Sequence, residues 1–233
     1  MNAGRTARDR ARAELTAEIK LEARNQLATS GGGGLSLRAV ARELGMVSSA
    51  LYRYFASRDD LLTALIIDAY GAMADAAQTA DESVTSRDPA QRWRAMAHAM
   101  REWALANRHE YSLLFGSPVP GYQAPQDTIA PAVRTYQLLL ATVNDAWQAG
   151  GLKPAFPGPA LSESLTAQLD AVREALATEL PAEALNRGFI AVTQLFGMLN
   201  FELFGQFVGS VDPTDEFFAN AVDQSLEFLG LPG

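Results

Sequence analysis

One stretch of the chain, residues 35–62 with the sequence LSLRAVARELGMVSSALYRYFASRDDLL, restricts the possible folds more than any other. Apolar residues at helical spacing predict a short helix over residues 37–44. Gly45 then supplies a turn, because glycine adopts positive φ without strain. A second helix is predicted to begin near Val47 or Ser48. Two short helices joined by a glycine turn are typical of a helix-turn-helix, whose second helix enters the major groove of DNA.

Candidate contacts with DNA follow from this geometry. Ser36 is the expected N-cap of the first short helix, where backbone N–H groups favour a phosphate. Ser48, Ser49 and Arg53 are predicted to be exposed on the second short helix and to face the base edges. Among them, the arginine side chain is suited to guanine. The candidate set for DNA contacts is Ser36, Arg38, Val47, Ser48, Ser49, Tyr52, Arg53, Tyr54 and Arg58.

The same stretch resembles the DNA-binding domain of TetR-family transcriptional regulators. The residues that carry the resemblance are Leu37, Arg42, Gly45, Val47, Ser48, Ala50, Leu51, Tyr52, Tyr54, Phe55, Ser57, Arg58, Asp60 and Leu61. The resemblance implies that Tyr52 donates its hydroxyl to a phosphate, and that Arg58 contacts phosphate where the family often has lysine. Tyr54 and Phe55 are expected to lock the second short helix to the first and fourth helices of the chain. An ordinary helical hairpin with the same apolar pattern is the alternative.

The charge distribution favours contact between DNA and the N-terminal part of the chain. The net charge is −8, yet residues 1–60 contain 10 of the 19 Lys and Arg and only 7 of the 27 Asp and Glu. A basic N-terminal part, residues 1–60, followed by an acidic remainder orients the N-terminal part toward the phosphates of DNA. Arg5, Arg8, Arg10 and Arg12 lie within residues 1–12. This segment is either a flexible basic arm that touches DNA or an extension that only adds solubility.

Composition and motifs argue against several other classes of protein. The absence of cysteine excludes disulfides and thiolate metal sites, and it fits a cytoplasmic protein. The charged start lacks the apolar core of a signal peptide. Residues 189–208 are the one membrane candidate, but Gln194 and Asn200 favour a buried helix. His98 and His109 lack partners at metal-ligand spacing, and no nucleotide-binding or hydrolase motif occurs, so neither a cofactor nor an enzyme is expected.

Helical periodicity extends along the rest of the chain, which predicts an all-α protein. Asp88-Pro89 is a strong helix start, and Ser57 is expected to cap the preceding helix. Gly31 to Gly34 are interpreted as a flexible turn, because neither a strand nor a Lys-Ser/Thr pair makes them a phosphate-binding loop. The predicted helices cover residues 6–29, 58–79, 88–106, 129–150, 159–180 and 183–209, with a last helix from Pro213.

Aromatic and methionine side chains in the second half predict a ligand-binding site. Trp93, Met96, Met100 and Trp103 share one wide apolar face of a predicted helix. The following segment, with the pattern WAL and YSLLFGSPVPGY, is similar to the ligand-binding domain of a TetR subgroup known as the WHG type. A cavity lined in this way would hold a largely apolar or aromatic ligand, whereas the alternative is plain core. The candidates are Met73, Trp93, Met96, Met100, Trp103, Tyr111, Phe115, Tyr136, Trp147 and Phe196.

The last two long helices are predicted to form a dimer interface. Residues 183–209 are apolar on almost every side, so a partner is expected to cover what the subunit's own core does not. In the TetR family, the last two long helices pack against the same two helices of a second subunit around a twofold axis. The candidates are Phe189, Leu195, Leu199, Leu203, Phe207, Phe218, Val222 and Leu226.

These patterns predict a three-helix DNA-binding domain over residues 1–60, with its arm at residues 1–12. A helical ligand-binding and dimerisation domain is predicted over residues 61–233. The resemblance implies a homodimeric repressor that leaves an inverted-repeat operator in double-stranded DNA when a small-molecule effector binds. One alternative is a helical enzyme or small-molecule carrier without DNA function, and another is a constitutive DNA-binding dimer without a ligand.

Overall fold

The structure, a computed structural model, describes residues 7–231 and contains helices but no strand within that range. The helices are α1 (Ala7–Gly34), α2 (Leu37–Glu43), α3 (Ser48–Leu51), α4 (Arg58–Ser83), α5 (Pro89–Ala106), α6 (Arg108–Phe115), α7 (Ile129–Gln148), α8 (Glu163–Leu176), α9 (Ala182–Leu203) and α10 (Thr214–Leu229). The predicted all-α fold is confirmed. Nowhere in residues 7–231 does a helix have both the length and the apolar character needed to cross a membrane.

Side-chain caps fix the starts of two long helices. The Asp88 carboxylate accepts hydrogen bonds from the N–H groups of Ala90 at 2.8 Å and Gln91 at 3.0 Å. The Ser57 hydroxyl accepts from the N–H of Asp60 at 3.0 Å. Both helix starts lie where the sequence predicts them, because a cap satisfies N–H groups that have no partner inside the helix.

Four helices are shorter than predicted, including α7, which ends at Gln148 rather than at residue 150. α3 is a single turn, since the chain turns again immediately after Leu51. α8 begins only at Glu163, behind a cap formed by Ser162, whose hydroxyl accepts from the N–H of Leu165 at 3.3 Å. α9 ends at Leu203, because Gly205 adopts a positive φ of 79° that a helix does not tolerate.

The first of two compact units contains α1, α2, α3, the first part of α4, and α6. Among the described residues it comprises 7–70 together with 107–129. Its core includes Ile19, Ala23, Leu27, Val40, Leu51, Leu61 and Leu62. Leu113, Val119 and Tyr122 pack against this core, so α6 and the loop after it belong with the helix-turn-helix.

The second unit contains residues 71–106 and the described residues from 130 to 231, and a buried ion-pair cluster joins three of its helices. Arg92 of α5 is only 4% exposed and pairs with Asp81 of α4 and, at 2.6 Å, with Asp145 of α7. Burial alone would raise the pKa of Asp81, but Arg92 and Arg87 outweigh that effect and hold this pKa below its ordinary value.

The linker between α7 and α8 is fixed to the same unit by a buried arginine. Arg187 of α9 donates to the carbonyl oxygens of Phe156 at 2.6 Å and Phe228 at 2.8 Å. Its guanidinium also lies over both aromatic rings, 5.4 and 5.0 Å from their centroids. These contacts hold the linker against the C-terminal end of α10.

Asp81→Asn should lower the free energy of unfolding at neutral pH by about 3 kcal/mol, because it leaves buried Arg92 with less countercharge. The folded-state pKa of Asp81 lies below the ordinary value of 3.8. Its contribution is therefore present above that ordinary value and is lost as pH falls through the folded pKa. Chemical denaturation across pH should show the difference between wild type and variant shrinking below about pH 4.

Asp75→Asn is the matched control, because this carboxylate also pairs with an arginine, Arg134, but its side chain is 68% exposed. Its loss should change the free energy of unfolding by less than about 1 kcal/mol. Equal effects of the two substitutions would contradict the assignment of a stabilising buried cluster.

Candidate functional site

The turn between α2 and α3 has the hydrogen bonds of a helix-turn-helix. The Ser36 hydroxyl accepts from the N–H of Ala39 at 3.4 Å, which caps α2. Gly45 adopts a φ of 64°, and the N–H of Met46 donates to the carbonyl oxygen of Ala41 at 2.8 Å. The predicted cap and the predicted glycine turn are both confirmed.

The outer surface of α2, α3 and the turn after α3 carries most of the side chains predicted to contact DNA. The exposed members of that set are Arg38, Val47, Ser49, Tyr52 and Arg53. Ser36 and Ser48 are half-buried, while Leu51 and Phe55 face the opposite way into the core of the first unit. The result is an accessible polar surface on a packed base, with the size and chemistry to enter a major groove.

Arg12 connects α1 to the segment after α3. Its guanidinium lies over the ring of Tyr54, 5.3 Å from the centroid, and donates to the carbonyl oxygen of Arg53 at 3.4 Å. Tyr54 is half-buried by this packing, as expected for a side chain that locks the helix. Residues 7–12 form the first turns of α1, whereas Arg5 lies outside the described residues.

The Arg58 guanidinium is partly occupied by backbone carbonyl groups of its own chain. It donates to the carbonyl oxygens of Leu35 at 3.1 Å, Gly32 at 2.7 Å and Gly33 at 3.3 Å. These carbonyls lie at the C-terminal end of α1 and at the approach to α2. Arg58 therefore holds the connection between two helices of the first unit. Its Nη1 atom has only Asp59 nearby, at 3.6 Å, so the phosphate contact stays a prediction.

The glycine segment is the end of α1 rather than a turn between helices, and one of its glycines is closely packed. α1 continues to Gly34 with a kink at Gly31, where φ is 63° and ψ is 178°. A Cβ atom at Gly32 would lie 2.6 Å from the Cγ2 atom of Val119. Only glycine allows the loop after α6 to approach the backbone here.

An ion-pair network that periodicity does not indicate ties α6 to α1 and α4. The Arg24 guanidinium contacts Glu110 at 2.6 Å and Asp68 at 2.9 Å, and Lys20 contacts Asp68 at 2.8 Å. Glu110 is 8% exposed. In the sequence, the only indication of this network is that the charged residue Glu110 directly precedes the apolar residues of α6. Spacing along the chain does not reveal the partner of Glu110.

The predicted ligand-contacting residues fall into separate groups. Met73, Trp93, Met96, Met100 and Phe196 are buried in the second unit. The Trp93 indole N–H donates to the Ser225 hydroxyl at 3.0 Å, and the rings of Tyr136 and Phe196 are 5.5 Å apart. Trp103 is half-buried in the same unit.

The other three predicted ligand contacts lie elsewhere. Tyr111 and Phe115 belong to the first unit, where their ring centroids are 4.9 Å apart. Trp147 lies near the end of α7 and is 43% exposed, so it does not join the buried group. The ten residues therefore do not form one group, and their contact with a ligand stays a prediction.

Five side chains of the predicted dimer interface are already covered within a single subunit. Leu195, Leu199, Phe218, Val222 and Leu226 are at most 3% exposed in a single subunit, so they offer little surface to a partner, and their place in an interface stays a prediction. Phe189, Leu203 and Phe207 are half-buried. The large apolar side chains that α9, α10 and the segment between them do expose are Ile190, Phe201, Phe204, Val208 and Phe217.

Comparison with known proteins connects this geometry to a class. Residues 21–65 match the family described as bacterial regulatory proteins of the tetR family, and residues 93–225 match the tetracyclin repressor-like C-terminal domain. The chain is 35% identical over 198 residues to the HTH-type transcriptional regulator Rv1816 of Mycobacterium tuberculosis, with 84% of each chain covered.

Solved structures of other proteins share the fold of this chain. The regulatory protein SCO4313 is similar with a TM-score of 0.77 and 39% identity, covering 95% of this chain and 99% of that one. PfmR, a TetR family transcriptional regulator from Thermus thermophilus, shares the fold with a TM-score of 0.57 at 20% identity, covering 92% of this chain and 99% of PfmR.

The fold and the exposed helix-turn-helix surface define a DNA-binding transcriptional regulator. The chain belongs to the TetR family of bacterial regulators.

Arg58→Gln should lower the thermal stability of the protein and leave the salt dependence of DNA binding unchanged. The reason is that Arg58 bonds to carbonyl oxygens of its own chain. We expect a loss of roughly 1.5–3 kcal/mol in the free energy of unfolding. Thermal denaturation and DNA titrations at several salt concentrations measure the two effects.

Arg38→Gln provides the comparison, because Arg38 is exposed on α2. It should leave stability unchanged and reduce the slope of log affinity against log salt by about one. If the Arg58 variant changes the slope of log affinity against log salt but keeps the stability of wild type, Arg58 contacts a phosphate of the DNA.

Proposed function

We propose that this chain is a homodimeric repressor that acts in the cytoplasm, binds an inverted repeat in double-stranded DNA and is released by a small-molecule effector. The observation that carries the proposal is the exposed surface at α3, where Ser49, Tyr52 and Arg53 stand on a buried apolar base. Hydroxyls and arginine are side chains that contact phosphates and read base edges. A dimer would present two such surfaces to two half-sites.

An apolar stripe on the outside of α9 supports dimerisation. Ile190, Phe201 and Phe204 are 48%, 52% and 42% exposed at spacings that place them on one helical face. Gly197 lies between them, and a Cβ atom there would meet nothing within 4 Å. Glycine within a helix is costly, and an exposed apolar stripe favours association, so both features suit a closely approaching partner helix. We place this stripe at the centre of the proposed interface.

The buried face of α5 supports an effector site in the second unit. Trp93, Met96 and Met100 are at most 1% exposed and lie on one side of that helix. Methionine adapts its shape readily, and apolar or aromatic linings are usual in small-molecule sites. The effector would act by binding the DNA-free state more tightly than the DNA-bound state.

Arg53→Ala should weaken binding to the protein's operator by about 1–3 kcal/mol and relax the preference for one base in each half-site. The reason is the loss of a side chain that reads a base edge. Fluorescence anisotropy with the operator duplex and its single-base variants measures both effects. Arg94→Ala is the control, because Arg94 lies on α5 and pairs with Asp223. If the Arg53 and Arg94 variants bind alike, the assignment of the recognition surface fails.

Phe201→Glu should convert the dimer to a monomer that loses affinity for the operator, because a charge would face the partner helix. Sedimentation velocity measures the oligomeric state. Leu21→Glu is the control, since Leu21 is 59% exposed but lies on α1 in the first unit. A Phe201→Glu protein that sediments as a normal dimer would contradict the proposed interface, and so would a monomeric wild type.

A further inference from the structure

In the part of the first unit that the structure describes, the most exposed large apolar side chain is Val47. It is 71% exposed, against 59% for Leu21 and 57% for Ile129. Val47 lies directly before α3, whose first residue is Ser48. The first residues of the second helix in a helix-turn-helix are those that contact base edges. An apolar surface is therefore presented where the protein meets the major groove.

Valine is also an unfavourable residue for the position that Val47 occupies in the fold. It is the N-cap of α3, and its side chain makes no capping hydrogen bond. The helices on either side, α2 and α4, begin with Ser36 and Ser57, whose hydroxyls accept from the N–H groups of Ala39 and Asp60. Valine has no oxygen to do this, which lowers helix stability. Neither burial nor capping therefore accounts for this valine.

Hydrogen bonds on both sides of Val47 fix its backbone. The N–H of Met46 donates to the carbonyl oxygen of Ala41 at 2.8 Å, and the carbonyl oxygen of Val47 accepts from the N–H of Ala50 at 2.9 Å. Its φ of −71° and ψ of 137° are extended. A β-branched side chain has one torsion, which is itself restricted. The two γ-methyl groups are thus held in place before DNA binds, so little conformational entropy is lost on binding.

The chemistry of the major groove offers one partner for an apolar side chain. The base edges present hydrogen-bond donors and acceptors, together with the C5-methyl group of thymine. Valine can neither donate nor accept, so it gains nothing from the polar groups. Ser49 and Arg53, which are also exposed on this surface, have the hydroxyl and guanidinium groups that bond to them. Val47 is the side chain suited to the methyl group.

We infer that Val47 determines specificity for thymine, because its γ-methyl groups contact the C5-methyl group of one thymine in each half-site. This inference rests on the proposed function, since it requires an operator with two half-sites. The contact removes apolar surface of both the valine and the base from water. A T·A pair is therefore preferred at that position over pairs that lack the methyl group.

Deoxyuridine tests this contact, because it pairs as thymine does and lacks only the C5-methyl group. The operator that the wild-type protein selects from random duplex DNA is synthesised with deoxyuridine in place of each thymine in turn, at equivalent positions of both half-sites. Fluorescence anisotropy measures the affinity of the full chain for each duplex. One replacement should weaken wild-type binding about fifteenfold, from about fourfold for each lost methyl contact.

Two substitutions assign the effect to Val47. Val47→Ala and Val47→Ser both remove the γ-methyl groups, so each variant should bind the thymine and deoxyuridine duplexes alike. Val47→Ser should also raise the melting temperature by about 2–4 °C, because a serine hydroxyl can cap α3. Its loss of discrimination then does not come from a damaged fold. Leu21→Ala is the control, since it removes an exposed apolar side chain of α1 and should keep the wild-type ratio.

Two results would overturn the inference while the operator is still bound. In the first, no thymine of the half-site is sensitive to replacement by deoxyuridine in the wild-type protein. In the second, the Val47 variants keep the wild-type ratio of affinities, which would assign the methyl contact to another side chain. Either result leaves the proposed function standing. Selection that enriches no inverted repeat would instead remove the proposed function and this inference together.

Discussion

The DNA-binding head depends on one arginine that joins three helices. Arg24 of α1 contacts Asp68 of α4 and Glu110 of α6, and Lys20 adds a second contact to Asp68. α2 and α3 are too short to bury a core alone, so their orientation is set by the helices beneath them. The side chains of Arg24, Asp68 and Glu110 are each less than one third exposed. These ion pairs therefore contribute more to the positions of α1, α4 and α6 than fully exposed ion pairs would.

The helix-turn-helix was predictable because its determinants are local. Ser36, Gly45 and Ser57 act within a few residues of themselves, and the structure confirms each of these turns and caps. The role of Arg58 was not predictable in the same way. Its partners at residues 32–35 are distant along the chain, and a charged side chain near a helix start is equally consistent with a phosphate contact.

The apolar stripe on α9 shows a different limit of prediction from helical periodicity. α9 is apolar on nearly every side, so its sequence does not indicate which side faces the subunit's own core. That choice is made by packing against α5, α8 and α10, which buries Leu195 and Leu199 and leaves Phe201 outside.

The most direct test of the central claim is selection of binding sites from random duplex DNA, repeated across salt concentrations. A dimeric helix-turn-helix regulator should enrich an inverted repeat with half-sites one helical turn or a multiple of it apart. Its affinity should fall steeply as salt rises, because contacts with phosphates release counterions. Enrichment of no sequence, by protein that has been unfolded, dialysed and refolded to remove any bound effector, would contradict the account.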